Sequence, residues 1–146
     1  MNGDDATVEK IAVLLRMFND EYVKASIHEE RGKAVIRECI TNGICHVHVV
    51  AGVVAGVILG HVVDHPFLDQ KVASEVAWYV HPIVRGMRTE HGGVGTHLLE
   101  LFEASAKERG CNVIAMSTLA NSTIATTLMK KHGYTASETS WYKGVK

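Results

Sequence analysis

Residues 80 to 99 read Val80-His81-Pro82-Ile83-Val84-Arg85-Gly86-Met87-Arg88-Thr89-Glu90-His91-Gly92-Gly93-Val94-Gly95-Thr96-His97-Leu98-Leu99. They lead from an apolar stretch over 72–80 into a helical pattern through a glycine-rich turn. Glycines let successive backbone N–H groups converge on one anion because no β-carbon stands in the way. The helix that follows adds unpaired amides and the positive end of its dipole. Arg85 and Arg88 bring full charge to the same turn. The stretch reads as a phosphate cradle, but an ordinary strand-to-helix loop would carry similar glycines, so the rest of the chain has to decide.

Two familiar phosphate loops are excluded. No Gly-Lys-Ser/Thr closes the turn, so nothing stands ready to hold a terminal phosphate and magnesium together. Gly86, Gly92, Gly93 and Gly95 miss the G-x-G-x-x-G spacing, and the strand lies in mid-chain instead of opening a βαβ unit.

Outward from the turn, periodicity predicts a helix over 94–109 with Val94, Leu98, Leu101/Phe102 and Ser105 inward, stopped by Gly110. A strand is expected over 111–118. Asn121 opens a helix with Ile124, Ala125, Leu128 and Met129 inward, closed by Gly133, and two short strands follow over 134–137 and 139–145. Upstream, Thr7 caps a helix striped by Val8, Ile11, Leu15 and Phe18, and a second helix runs over 29–41. Strands over 44–50 and 53–63 come next. Then the polar segment 64–70 connects to the strand over 72–80, since Pro66 cannot extend a central ladder.

The apolar run from Val49 to Gly60 imitates a membrane helix, with Gly52, Gly56 and Gly60 at G-x-x-x-G spacing. Its 12 residues fall short of the roughly 20 a span requires. Valine and isoleucine favour strands, and Ala51-Gly52 supplies a turn, so the run reads as a buried hairpin.

At 146 residues the chain is expected to form a single domain, residues 1–146, with one core. A net charge of -1 gives no basic field for nucleic acid. Cys39, Cys45 and Cys111 are odd in number and scattered, as free thiols in a reducing compartment would be, so a cytoplasmic protein is expected. The polar, acidic start Met1-Asn2-Gly3-Asp4-Asp5 does not read as a signal peptide. Nine histidines raise the question of a metal, but no H-E-x-x-H or Cys/His spacing appears and none is assigned. There is no G-x-S-x-G elbow for hydrolase chemistry.

The element order α-α-β-β-β-α-β-α-β-β resembles that of the GNAT N-acetyltransferase superfamily over nearly the whole chain. Val80-x-Pro82, Arg85-Gly86 and Gly93-Val94-Gly95-x-x-Leu98-Leu99 resemble its motif A, the loop for the pyrophosphate of acetyl-CoA. The segment 53–58 resembles its third strand, the segment 121–134 its N-x-x-x-A…G-F/Y stretch, and Trp141-Tyr142-Lys143 its closing strand. The resemblance implies an α/β fold with a mixed, mostly antiparallel central sheet flanked by about four helices. The family's first strand would precede Thr7, where six hydrophilic residues stand, and is expected to be short or missing. Two departures are visible. Glu90 stands three residues before Gly93, where the family's R/Q-x-x-G-x-G/A pattern has Arg or Gln. The turn is also longer than the family's compact form by about five residues, so that Arg85 or Arg88 could fold back into the missing basic role.

What the resemblance implies is acetyl transfer from acetyl-CoA to an amine acceptor, small molecule or protein, with no nucleic-acid or membrane partner. The cofactor set it implies is Val80, Arg85, Arg88, His91, Gly92, Gly93, Val94, Gly95, Thr96 and Asn121. An amine with a pKa of about 10.4 is protonated at neutral pH, so a base is required. Glu75, on the strand entering the loop, takes that role by the resemblance, with His81 and His91 as rivals. Alternation places Glu75, Ala77 and Tyr79 on one face and Val76, Trp78 and Val80 on the other. A backbone amide near Tyr79 and Val80 is the implied oxyanion donor. The position where many family members carry a tyrosine acid is Met129, for which Tyr79 or Tyr142 could substitute. Glu90 and Met129 also leave open a different class, a GNAT-like acyl-CoA-binding or protein-interaction module without turnover. The terminal strands could pair across a homodimer.

Overall fold

The computed structural model describes residues 4–90 and 92–145. Contacts divide it into two compact units, Met1–Met116 and Ser117–Lys146.

In the first unit, helix α1 spans Asp5–Phe18 and is capped by Asp4, whose carboxylate accepts from the Thr7 N–H at 2.7 Å. The expected cap, Thr7, is instead the donor one turn in, because the acid three residues earlier closes the helix start. The last residues loosen into a π turn, Asn19–Val23, which ends where Lys24 adopts φ 58°. Helix α2 spans Glu29–Thr41. Strands β1 (Ile44–Val50) and β2 (Val53–Asp64) form the expected hairpin, turning at Ala51 and Gly52 with φ of 49° and 79°. Two positive φ values make the tight turn whose twist matches its strands. Strand β3 (Lys71–Val80) runs antiparallel to β2.

Beyond β3, the loop folds into a two-residue hairpin, β4 (Arg88–Thr89) with β5 (Gly92–Gly93), before helix α3 (Val94–Glu108). Strand β6 (Val113–Ala115) then lies parallel to β3, which gives the sheet order β1-β2-β3-β6. The expected strand over 111–118 is therefore only three residues long.

Each face of the sheet carries its own core. Val8, Ile11 and Leu14 of α1, with Ile36 and Cys39 of α2, pack on Val57, Leu59 and Tyr79. On the other face Val94, Leu98, Phe102 and Ala106 of α3 pack on Ile44, Ile58 and Ala73. Gly56 and Gly60 are the floor beneath α3. A β-carbon on Gly56 would sit 3.1 Å from Leu98, and one on Gly60 would sit 2.5 Å from Phe102. The glycine spacing that mimicked a membrane motif is a close helix-on-sheet contact. Among the described residues no helix is long and apolar enough to cross a membrane.

The second unit contains helix α4 (Thr123–Lys131), capped by Ser122, whose hydroxyl accepts from the Ala125 N–H. Of the four side chains expected inward, Met129 alone is buried, and Ile124 is 86% exposed. Gly133, at φ 83°, ends the helix as expected. The two terminal strands are not formed over the described residues 134–145, and Trp141 and Tyr142 are almost fully exposed. A strand needs a ladder, and the polar run 135–140 has no alternating apolar face to hold one.

Candidate active site

The long turn is held at both ends. His81 caps the short turn Pro82–Val84, its Nδ1 accepting from the Ile83 N–H at 3.1 Å, and Val84 is buried in the core under α3. The extra residues are absorbed by the β4–β5 hairpin, in which Arg88 is paired with Gly93 and Thr89 with Gly92. The Thr89 hydroxyl closes it by donating to the Gly92 carbonyl at 2.8 Å. Gly92 has φ 95°, a conformation that other residues adopt only under strain. Exposed Glu90 lies in the same hairpin. His91 lies outside the described residues.

Gly93 is the N-cap of α3 and, having no side chain, makes no cap bond to the amides behind it. Among the described residues a β-carbon on Gly93 would meet only the Thr96 hydroxyl, at 4.0 Å, so they leave the approach to Val94, Gly95 and Thr96 open at that point. An uncapped helix of 15 residues presents several orphan N–H groups and a partial positive charge there. The residues present fit a diphosphate.

Beside this helix end, β3 has an open edge. β6 pairs with Val72, Ala73 and Ser74, and among the described residues no strand pairs with 76–80 on that side. The His81 N–H donates to the Ala55 carbonyl at 2.8 Å. By the alternation of an antiparallel ladder, Tyr79 then bonds toward β2, while Trp78 and Val80 turn their N–H and C=O groups to the open side. The indole N–H of Trp78 is buried against Gly95 and has no hydrogen-bond partner among the described residues.

The simple alternation expected over 75–80 does not hold. Leu59 pairs with Ala77 but Gly60 with Glu75, so Val76 is an extra residue, a bulge. One inserted residue reverses the side on which everything beyond it falls. Glu75 shares the α3 side with Gly60, whereas Ala77 and Tyr79 face α1 and α2. The two residues expected to act together are therefore on opposite faces, with Glu75 half-buried and Tyr79 buried.

Tyr79 belongs to a cluster centred on Arg85. The guanidinium makes two bonds to Glu21, Nη1 to Oε1 at 2.6 Å and Nη2 to Oε2 at 2.7 Å. Its Nε donates to the Val80 carbonyl at 2.9 Å. It also lies 5.2 Å from the Tyr79 ring centre and 5.8 Å from that of Tyr22. The Tyr79 hydroxyl donates to Glu21 Oε2 at 3.2 Å. The hydrogen bonds from Arg85 hold the Glu21 carboxyl below its ordinary range, against a smaller opposing effect of desolvation. Bonding to Glu21 raises Arg85, and burial followed by the Glu21 charge raises Tyr79. Arg85, expected at the phosphates, is thus engaged with Glu21. Nothing in the sequence marked Glu21, which lies beyond the α1 stripe in an irregular turn and meets Arg85 only through the fold.

Asn121 lies in the second unit, exposed, in the turn before Ser122. It is not the cap of α4. Among the described residues no group of three or more His, Cys, Asp or Glu side chains could hold a metal. His46 instead hydrogen-bonds Ser105 of α3 at 2.7 Å.

Solved acetyltransferases share this fold across almost the whole chain. A Pyrococcus furiosus protein, provisionally described as an acetyl transferase, superposes with a TM-score of 0.75 at 22% identity, covering 97% of this chain and 95% of that one. The aminoglycoside N-acetyltransferase AAC(6')-Iy, in complex with CoA, gives 0.73 at 15% identity, covering 98% and 91%. A ribosomal-protein-alanine N-acetyltransferase from Brucella melitensis gives 0.70 at 14%, covering 95% and 92%. No curated protein matches at a significant level. The profile of the Acetyltransferase (GNAT) family matches residues 11–134. The chain belongs to that family of acyltransferases.

Proposed function

We propose that this chain is an acetyl-CoA-dependent N-acetyltransferase that works by direct attack of a primary amine on the thioester. What supports the reading is the uncapped helix end at Gly93 next to the open edge of β3, in a member of this family. The family match spans both compact units, which favours one functional domain.

In this reading the amides of Val94, Gly95 and Thr96 bind the diphosphate, and Arg88, paired with Gly93, supplies the formal positive charge that Arg85 has given to Glu21. The outward backbone groups of Trp78 and Val80 line the path of the pantetheine arm, as an added strand would be lined. The Val80 N–H serves charge developing on the thioester oxygen. Glu75 removes the ammonium proton, directly or through water. Tyr79 stays protonated at neutral pH because burial and Glu21 both raise it. As the amide forms, the C–S bond breaks and the thiolate, whose thiol has a pKa of about 8.5, takes up the proton that the attacking nitrogen sheds, relayed by Tyr79 or by water.

Two proteins of this fold are described as acting on an aminoglycoside and on a ribosomal-protein alanine, so the acceptor is read here only as an amine. Calorimetric titration with acetyl-CoA, followed by free-thiol release across a panel of amines, tests the reading. Saturable binding with thiol release for at least one amine is expected. Binding without release for any acceptor would favour an acyl-CoA-binding module.

A further inference from the structure

We infer that Glu21 is a positioning residue for the proposed transfer: through Arg85 it fixes the Val80 peptide, the end of the open edge along which the thioester is to lie. The inference rests on the acetyltransferase reading above and adds to it a residue outside the loop and outside β3.

Among the described residues β6 pairs with β3 only as far as Ser74, and β2 holds the Val80–His81 peptide from its inner side, through the His81 N–H bond to Ala55, so the outward carbonyl of Val80 has no ladder bond there. Arg85 restrains it through the Nε bond at 2.9 Å. An arginine side chain left to itself samples many rotamers and would be a poor restraint. Here its other two nitrogens are bound to one carboxylate, at 2.6 and 2.7 Å, and its plane lies against Tyr79 and Tyr22. Glu21 is itself placed by the Tyr79 hydroxyl at 3.2 Å and by the π turn that carries it off the end of α1. Three elements therefore meet around one peptide: the π turn after α1 through Glu21, the loop through Arg85, and β3 through Tyr79 and Val80. The planar fork is needed, because only a guanidinium can reach a carboxylate bidentately and a carbonyl at the same time.

The clamp is electrically closed. Its positive charge is matched within the cluster, so it adds nothing to diphosphate binding. Its effect belongs to the geometry of the reacting end, where a displacement of about 1 Å can cost about 100-fold in rate.

Steady-state kinetics, calorimetry with acetyl-CoA and the NMR signal of the Arg85 Nε–H together test this in Glu21→Gln. Expected are a kcat lower by about 10- to 100-fold, an acetyl-CoA Kd within about two-fold of wild type, and loss of the slowly exchanging Nε–H signal. Glu21→Asp should recover part of the rate, and Arg85→Lys should behave like Glu21→Gln, since a point charge cannot replace the fork. An active wild type with an equally active Glu21→Gln variant would overturn the inference. So would a Kd that weakens as much as kcat falls, or an unchanged Nε–H signal. A wild type that binds acetyl-CoA but transfers to no amine would instead overturn the acetyltransferase reading.

Discussion

The ring of Phe102 fills the space that a β-carbon on Gly60 would need, with its two nearest carbons 2.5 and 2.6 Å from that point. Helix α3 is seated directly on the backbone of β2, and the Ser74 carbonyl, at 2.9 Å, blocks a sideways escape. Since α3 begins at the proposed cradle, this contact also sets how far the cradle stands from β3. Gly60→Ala is expected to lower stability by about 1–3 kcal/mol through overpacking, read as a lower midpoint in denaturant. An unchanged midpoint would mean that α3 does not rest there.

The opposite outcome is expected in the tail. Trp141 is 90% exposed, so Trp141→Ser should change unfolding free energy by less than about 0.5 kcal/mol, as surface substitutions do. A loss of several times that amount would show that the segment packs as the sheet strand its aromatics suggested.

His46 gives the fold a pH dependence of defined sign. Desolvation is the main cause that lowers its pKa from 6.5. In the unfolded chain it protonates in its ordinary range, and in the folded chain only at lower pH. Above that range both states are neutral and nothing is gained or lost. As pH falls through it, the unfolded state binds the extra proton and stability declines. Denaturation at pH about 7.5 and about 5.5 should show this decline. His46→Gln, which keeps a partner for Ser105, should reduce it; an identical decline in the variant would acquit His46.

Much of the frame was legible because each element carried its own signal. The bounds of α2, the Ala51-Gly52 turn and the strand feeding the loop follow from periodicity and turn chemistry. Three features were not legible. The bulge at Val76 has no mark in sequence, because no glycine or proline flags the extra residue within the strand, yet it moves Glu75 to the far face from Tyr79. The strands over 134–137 and 139–145 were read from propensity, which says nothing about whether a ladder partner exists. The bond between Glu21 and Arg85 joins positions 64 residues apart, and no local pattern encodes such a pair. It engages the arginine that the family resemblance had placed at the phosphate.

For the chemistry, Glu75→Gln removes the base proposed above and leaves the proposed cradle intact. A fall in kcat of about 100-fold with little change in acetyl-CoA affinity is expected, within the range general-base catalysis contributes. Wild-type turnover in this variant would take Glu75 out of the mechanism, and its placement on the α3 side of the bulge makes that a direct test of which face the amine approaches.

The most direct measurement is calorimetric titration of acetyl-CoA into wild type and Gly93→Asp. Position 93 has room for a β-carbon, with nothing among the described residues nearer than 4.0 Å, so the variant should keep its fold and place a carboxylate among the amides that open α3. Affinity lower by at least about 10-fold, with an unchanged melting temperature, is the expected result. Equal affinity in the two proteins would contradict the cradle, and with it the placement of the thioester along β3.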